Sequence, residues 1–120
     1  MTDLLAVGIS HKTAPVELRE RLAFGTDELR AALQGLRVSA ELGEVMVVST
    51  CNRVEVYAAA PSWARCGERV LQALAELRGV PLAELQQHTF VRGEQAAASH
   101  IFRVAASLES MVVGEPQILG

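Results

Sequence analysis

Apolar positions along the chain follow two periods, and the switches between them mark out its elements. Leu4 to Ile9 is a short apolar run bounded by Asp3 and Ser10, which predicts a strand. Ser10 to Pro15 is a polar loop, with Pro15 suited to the first position of a short helix over Val16 to Ala23. Thr26 is a good N-cap, Asp27 and Glu28 suit the first turn, and Leu29, Leu33 and Leu36 recur at helical spacing, so a second helix is predicted to about Ser39. Glu44 to Ser49 and Val54 to Ala59 are rich in strand formers, and the break Thr50 to Arg53 between them suits an antiparallel hairpin. Beyond Pro61, Ser62 to Arg78 reads as a helix with Val70, Leu71, Leu74 and Leu77 on one stripe and Gly79 as its stop. Pro81 to Gln87 predicts a further helical turn and His88 to Val91 a short fourth strand. Gly93 then precedes a helix from Glu94 to about Met111, with Ala97, Ile101, Val104, Ala105 and Leu108 on its inner face, and Val112 to Gly120 is an exit segment punctuated by Gly and Pro.

This order predicts an α+β fold, a ferredoxin-like β-α-β-β-α-β sandwich with an additional C-terminal helix. Right-handed crossovers place both main helices on one face of the sheet. The chain is 120 residues long and half hydrophobic, enough for one domain with a core of its own and too apolar for disorder. Its formal net charge of −3 argues against an extended nucleic-acid-binding face, though not against a local basic site. No signal peptide is recognisable, no apolar run reaches the ~18 residues of a membrane span, and two cysteines without a secretory signal predict reduced thiols in the cytoplasm. The last residues, Gly114 to Gly120, read as part of an ordered segment, so the chain is expected to be a piece of a longer protein.

Cys51 is the residue on which chemistry turns. Ser49, Thr50, Asn52 and Arg53 around it are polar, whereas a packing cysteine usually sits among apolar neighbours, and Arg53 could supply the positive charge that favours a thiolate. The local sequence leaves a nucleophile, an inert thiol and a metal ligand all open. Cys66 lies within a predicted helix and reads as core, and the two cysteines match no zinc spacing. A cysteine nucleophile needs a base, and His11, His88 and His100 are the candidates, each with a solvated or locally bonded histidine as the blander reading. Arg53 is either a solvated hairpin charge or a clamp for a carboxylate or phosphate. Neither G-x-x-x-x-G-K-[ST] nor G-x-G-x-x-G occurs, so no nucleotide site is expected within these residues.

Three segments together carry a resemblance. Gly8-Ile9-Ser10-His11-Lys12-Thr13-Ala14-Pro15-Val16-Glu17-Leu18-Arg19-Glu20, Ser49-Thr50-Cys51-Asn52-Arg53-Val54-Glu55-Val56-Tyr57 and the run from Phe102 to Gly120 resemble, in order and spacing, the N-terminal catalytic domain of glutamyl-tRNA reductase. Ser107 and Glu109 depart mildly from that pattern, at helical positions. The resemblance implies an oxidoreductase that opens five-carbon tetrapyrrole (porphyrin, haem) biosynthesis by reducing glutamyl-tRNA to glutamate-1-semialdehyde with NADP-linked hydride. Cys51 would attack the aminoacyl ester to give a thioester, which NADPH reduces or water hydrolyses, and His100 would assist as base or polarising group. Thr50, Asn52, Arg53, Ser110, Glu115, Pro116 and Gln117 would line the glutamate pocket. No metal is implied. Residues 1–120 would form the catalytic, glutamate-recognising domain alone. NADPH binding and homodimerisation would fall to domains the chain lacks, and the downstream aminomutase is a further partner implied by the family. Two other readings are weighed against it. One is a non-catalytic ferredoxin-like module that binds a ligand or partner, in which Cys51 is unreactive. The other is an RNA-binding sandwich, which aromatics at 4% of residues and the lack of a stacking pair disfavour.

Overall fold

A computed structural model describes residues 2–111. They form β1 (Asp3–Ser10), α1 (Val16–Leu22), α2 (Thr26–Ser39), β2 (Val45–Ser49), β3 (Arg53–Ala60), α3 (Trp63–Arg78), α4 (Leu82–His88), β4 (Phe90–Gly93) and α5 (Glu94–Met111). The strands make one antiparallel sheet in the order β2-β3-β1-β4, which is the ferredoxin-like arrangement expected from the sequence.

Side chains alternate across the two central strands, and both faces are covered. Leu5, Val7 and Ile9 of β1 and Val54, Val56 and Ala58 of β3 point into the main core, where they meet Leu18 and Leu22 of α1, Ala32 and Leu36 of α2, and Cys66, Val70, Leu71 and Leu74 of α3. Ala6 and Tyr57 point the other way, with Val48 and Phe90 beside them, and α5 closes this second face through Ala97 and Ile101. The additional helix is therefore a third layer. It buries positions that a plain two-layer sandwich leaves in water, and the consequence falls on Glu55, which faces α5 and is 0% exposed.

Gly8 makes that possible. It pairs with Glu55 across the central strands, and a Cβ there would overlap the Val54 carbonyl oxygen and come within 2.7 Å of the Glu55 Cα. Only a residue without a side chain leaves the Glu55 stem its place against β1.

Several boundaries differ from the sequence expectation. Gly25, not Thr26, caps α2, because the Glu28 carboxylate reaches back to accept the Gly25 N–H at 2.8 Å and Thr26 becomes the first helical residue. That contact, with Arg78 of α3 second, holds the Glu28 carboxyl below its usual range. Pro15 and Ser62 are likewise the residues before their helices, not the first residues within them. The fourth strand begins two residues late, at Phe90, since burial of Leu85 carries α4 on through His88. Leu77 is half exposed, the burial passing to Ala73, Ala75 and Val80 at that end of α3. Ala105 is exposed because it lies about 80° round α5 from Ala97, off the stripe that runs through Ile101 and Val104. Gly79 does end α3, in the left-handed conformation with φ 64°.

Candidate active site

Cys51 sits at the tip of the β2–β3 hairpin, exposed and unpaired. The turn is pinned on every side while the thiol is left accessible. Thr50 N–H donates to the Arg53 carbonyl at 2.8 Å, and the Thr50 hydroxyl accepts from Asn52 N–H at 3.1 Å. From the β1–α1 loop, His11 N–H donates to the Asn52 carbonyl at 2.7 Å, and from α1 the Arg19 guanidinium reaches the Cys51 carbonyl at 3.5 Å. That loop is itself fixed, with Ser10 N–H donating to the Thr13 hydroxyl at 3.0 Å. The cysteine is thus held by backbone geometry, not by packing of its own side chain.

Arg53 enters β3 and turns toward the α5 side of the sheet. Its guanidinium meets Glu55 Oε2 at 2.6 Å, with the Arg53 side chain only 12% exposed. Glu55 Oε1 accepts the Tyr57 hydroxyl at 2.6 Å and faces His100 Nε2 at 2.6 Å. A carboxylate paired to Arg53 accepts hydrogen bonds, so the His100 ring presents an N–H from Nε2 to it. The ring is further held by Phe90, 4.7 Å away between centroids, and by the edge of Tyr57 at 6.2 Å. One buried carboxylate therefore orients both the arginine and the histidine that the sequence singled out.

Burial, then the hydrogen bond and charge of Glu55, push the Tyr57 hydroxyl well above its ordinary phenol value of 10.0. The folded state keeps that proton after the unfolded chain has lost it, so the stability Tyr57 contributes is complete below 10.0 and is lost as pH rises beyond it. A Tyr57→Phe chain is expected to be about 1–3 kcal/mol less stable at neutral pH. Urea titrations should show this gap closing in alkaline buffer.

A cleft of about 350 Å3 opens beside these groups, with Arg53, His100, Phe90 and Val104 in its wall and His11 and Thr13 at its side. Cys51 is not part of the lining. It stands on the adjoining turn, tied to the cleft through His11 and Asn52. The structure brings Arg53 and His100 together at one carboxylate and places Thr50 and Asn52 in the turn that presents Cys51. Ser110, Glu115, Pro116 and Gln117 lie outside the residues whose side chains are described. His88 is engaged elsewhere, its Nδ1 lying 3.2 Å from the Thr13 carbonyl, and Cys66 is core at 1% exposure. Among the described residues no group of three His, Cys, Asp or Glu side chains could hold a metal ion, and no helix is long and apolar enough to cross a membrane.

Glu55 and Tyr57 were not singled out by motif reasoning. A signal for them exists in the alternation of β3, where Val54, Val56 and Ala58 take the core face and leave Glu55 and Tyr57 on the other. That face reads as solvent until a second layer is known to cover it.

Residues 7–120 match the family model described as glutamyl-tRNAGlu reductase, N-terminal domain. The glutamyl-tRNA reductase of Pelobacter propionicus is 48% identical over 118 residues, covering 98% of this chain and 27% of the relative. That of Geobacter sulfurreducens is 47% identical with the same coverage. Among solved structures, the glutamyl-tRNA reductase from Methanopyrus kandleri superposes with a TM-score of 0.63 at 37% identity, over 99% of this chain and 26% of that one. The chain spans about a quarter of the length of these relatives.

Proposed function

The chain belongs to the glutamyl-tRNA reductase family, as its N-terminal domain, and from that premise we propose that it carries out the acyl-transfer half of the reaction. The Cys51 thiolate attacks the ester carbonyl carbon of glutamyl-tRNA. A C–S bond forms, the C–O bond to the terminal ribose breaks, and the ribose oxygen leaves with a proton. The observation that carries this reading is an exposed thiol on a rigidly tethered turn, adjoining a cleft whose arginine and histidine are both oriented by one buried carboxylate. Arg53 has donors beyond the one that Glu55 occupies, and these suit the side-chain carboxylate of glutamate. His100, whose ring is oriented by Glu55 at the wall of the cleft, is placed as a general base or proton relay. Thr50, Asn52, Ser110, Glu115, Pro116 and Gln117 complete the glutamate pocket in this reading.

The described residues do not fit a nicotinamide dinucleotide. They hold no glycine-rich phosphate loop, and the cleft is at the small end of the ~300–1,000 Å3 range of ligand sites. NADPH, which supplies the hydride that reduces the thioester, is in our reading bound by a domain outside these residues, as is the homodimer contact. The downstream aminomutase is the partner proposed to take the product, and the cytoplasm the compartment. A non-catalytic binding module is not favoured by the family membership.

Specificity provides the test. Mixed with glutamyl-tRNA, the chain is expected to release stoichiometric free tRNA at least ~10-fold faster than it does from glutaminyl-tRNA, whose neutral amide cannot use the Arg53 charge. Equal release from both, or release no faster than in buffer, contradicts the proposal.

A further inference from the structure

The mouth of the cleft holds more positive charge than a glutamyl group can use. Among the described residues, its lining includes Lys12, Arg53, Arg92 and Arg103 and no Asp or Glu. Glu55 neutralises Arg53 from beneath. Among the described residues, Lys12, Arg92 and Arg103 make no ion pair, so their charge is not offset within the lining. In a chain of net charge −3, with Lys12 its only lysine, this is a local reversal of sign.

The three cations come from different elements that the fold holds in place. Lys12 stands on the β1–α1 loop, whose turn is closed by its own N–H to the Ser10 hydroxyl at 3.2 Å. Arg92 lies on β4, opposite Ala6 of β1, with its guanidinium carbon 5.4 Å from the centre of the Phe90 ring. Its Nε is buried and has no hydrogen-bond partner. A buried donor left unpaired is costly. Arg103 stands on α5, one turn after His100.

We propose that Lys12, Arg92 and Arg103 form a phosphate subsite at the mouth of the cleft, which takes the sugar–phosphate backbone of the last nucleotides of the RNA acceptor strand. The proposal rests on the reading of glutamyl-tRNA as substrate and extends it to the residues that hold the RNA. One glutamate carboxylate needs one arginine. Three further cations spread over three elements match a ligand that carries a charge on every nucleotide.

The test is equilibrium binding of a short single-stranded RNA ending in CCA to the 120-residue chain, titrated at several salt concentrations. Three phosphate contacts to a single strand give a slope of log K against log salt of about −2. Lys12→Gln, Arg92→Gln and Arg103→Gln are each expected to reduce that slope by about 0.7 and to weaken binding severalfold at low salt. Arg92→Lys, which keeps the charge, guards against a folding artefact and should restore most of the slope. Wild-type affinity and slope in all three glutamine variants overturn the subsite. So does NADPH binding that depends on these residues while RNA binding does not. A chain that binds the RNA in this manner but releases no tRNA from glutamyl-tRNA contradicts the role given to Cys51 and leaves the subsite standing. Release of tRNA with binding indifferent to the three cations does the reverse.

Discussion

Replacing Glu55 by leucine is expected to lower the unfolding free energy by about 3–5 kcal/mol, the cost of removing one partner from a buried ion pair. Three groups lose their shared acceptor at once. The Arg53 guanidinium, 12% exposed, keeps a charge with nothing to balance it, and the Tyr57 hydroxyl and His100 Nε2 are left without the carboxylate they share. Glu55→Gln separates charge from shape. It preserves volume and two hydrogen-bonding positions, so it should cost less, about 1–3 kcal/mol. Its amide can meet either an arginine or a hydroxyl hydrogen as acceptor, but with one oxygen it cannot accept all three donors. Urea denaturation of the three chains gives the ordering wild type, glutamine, leucine. The glutamine variant should also release tRNA from glutamyl-tRNA about 10²-fold more slowly, because His100 loses the carboxylate that orients its ring. Equal stability of wild type and leucine variant would mean that Glu55 is not buried under α5.

The second large effect belongs to Cys51. Cys51→Ser is close to isosteric at an exposed position, so its stability should stay within about 0.5 kcal/mol of wild type. Release of tRNA should nevertheless fall by about 10⁴-fold or more, since a serine hydroxyl is un-ionised where a thiol is partly thiolate. The contrast between an unchanged urea midpoint and a lost reaction is what separates a nucleophile from a packing thiol. Cys66→Ser, at 1% exposure among Leu5 and Val70, should show the opposite pattern, with stability lost and chemistry kept.

How much of this was readable in the sequence depends on how local each feature is. The β-α-β-β-α-β order came from periods of two and 3.6 within single segments, and the hairpin at Thr50 to Arg53 from its length, so both survive in the structure with shifts of one or two residues. The start of the fourth strand was misplaced because Thr89, Phe90 and Val91 look like strand from His88 onward, while the deciding interaction, Leu85 in the core beneath α3, is not local. Cys51 and its polar neighbours were legible as a candidate centre, and so were Arg53 and His100. Their connection was not. It runs through Glu55, whose role depends on α5 folding back over the sheet after Gly93, at a turn where Glu94 takes φ 59°. Nothing in the hairpin sequence itself announces that cover. The same holds for the cations at the cleft, which are 80 residues or more apart in sequence between Lys12 and Arg92 and meet only because β4 pairs with β1.

The central claim is that Cys51 takes the glutamyl group, and intact-mass spectrometry of the chain after brief mixing with glutamyl-tRNA tests it most directly. The expected spectrum shows the chain heavier by one glutamyl residue, with the added mass mapped to the Cys51 peptide, discharged by hydroxylamine and absent from Cys51→Ser. An unmodified chain, or a glutamyl group found on any other residue, would contradict the account.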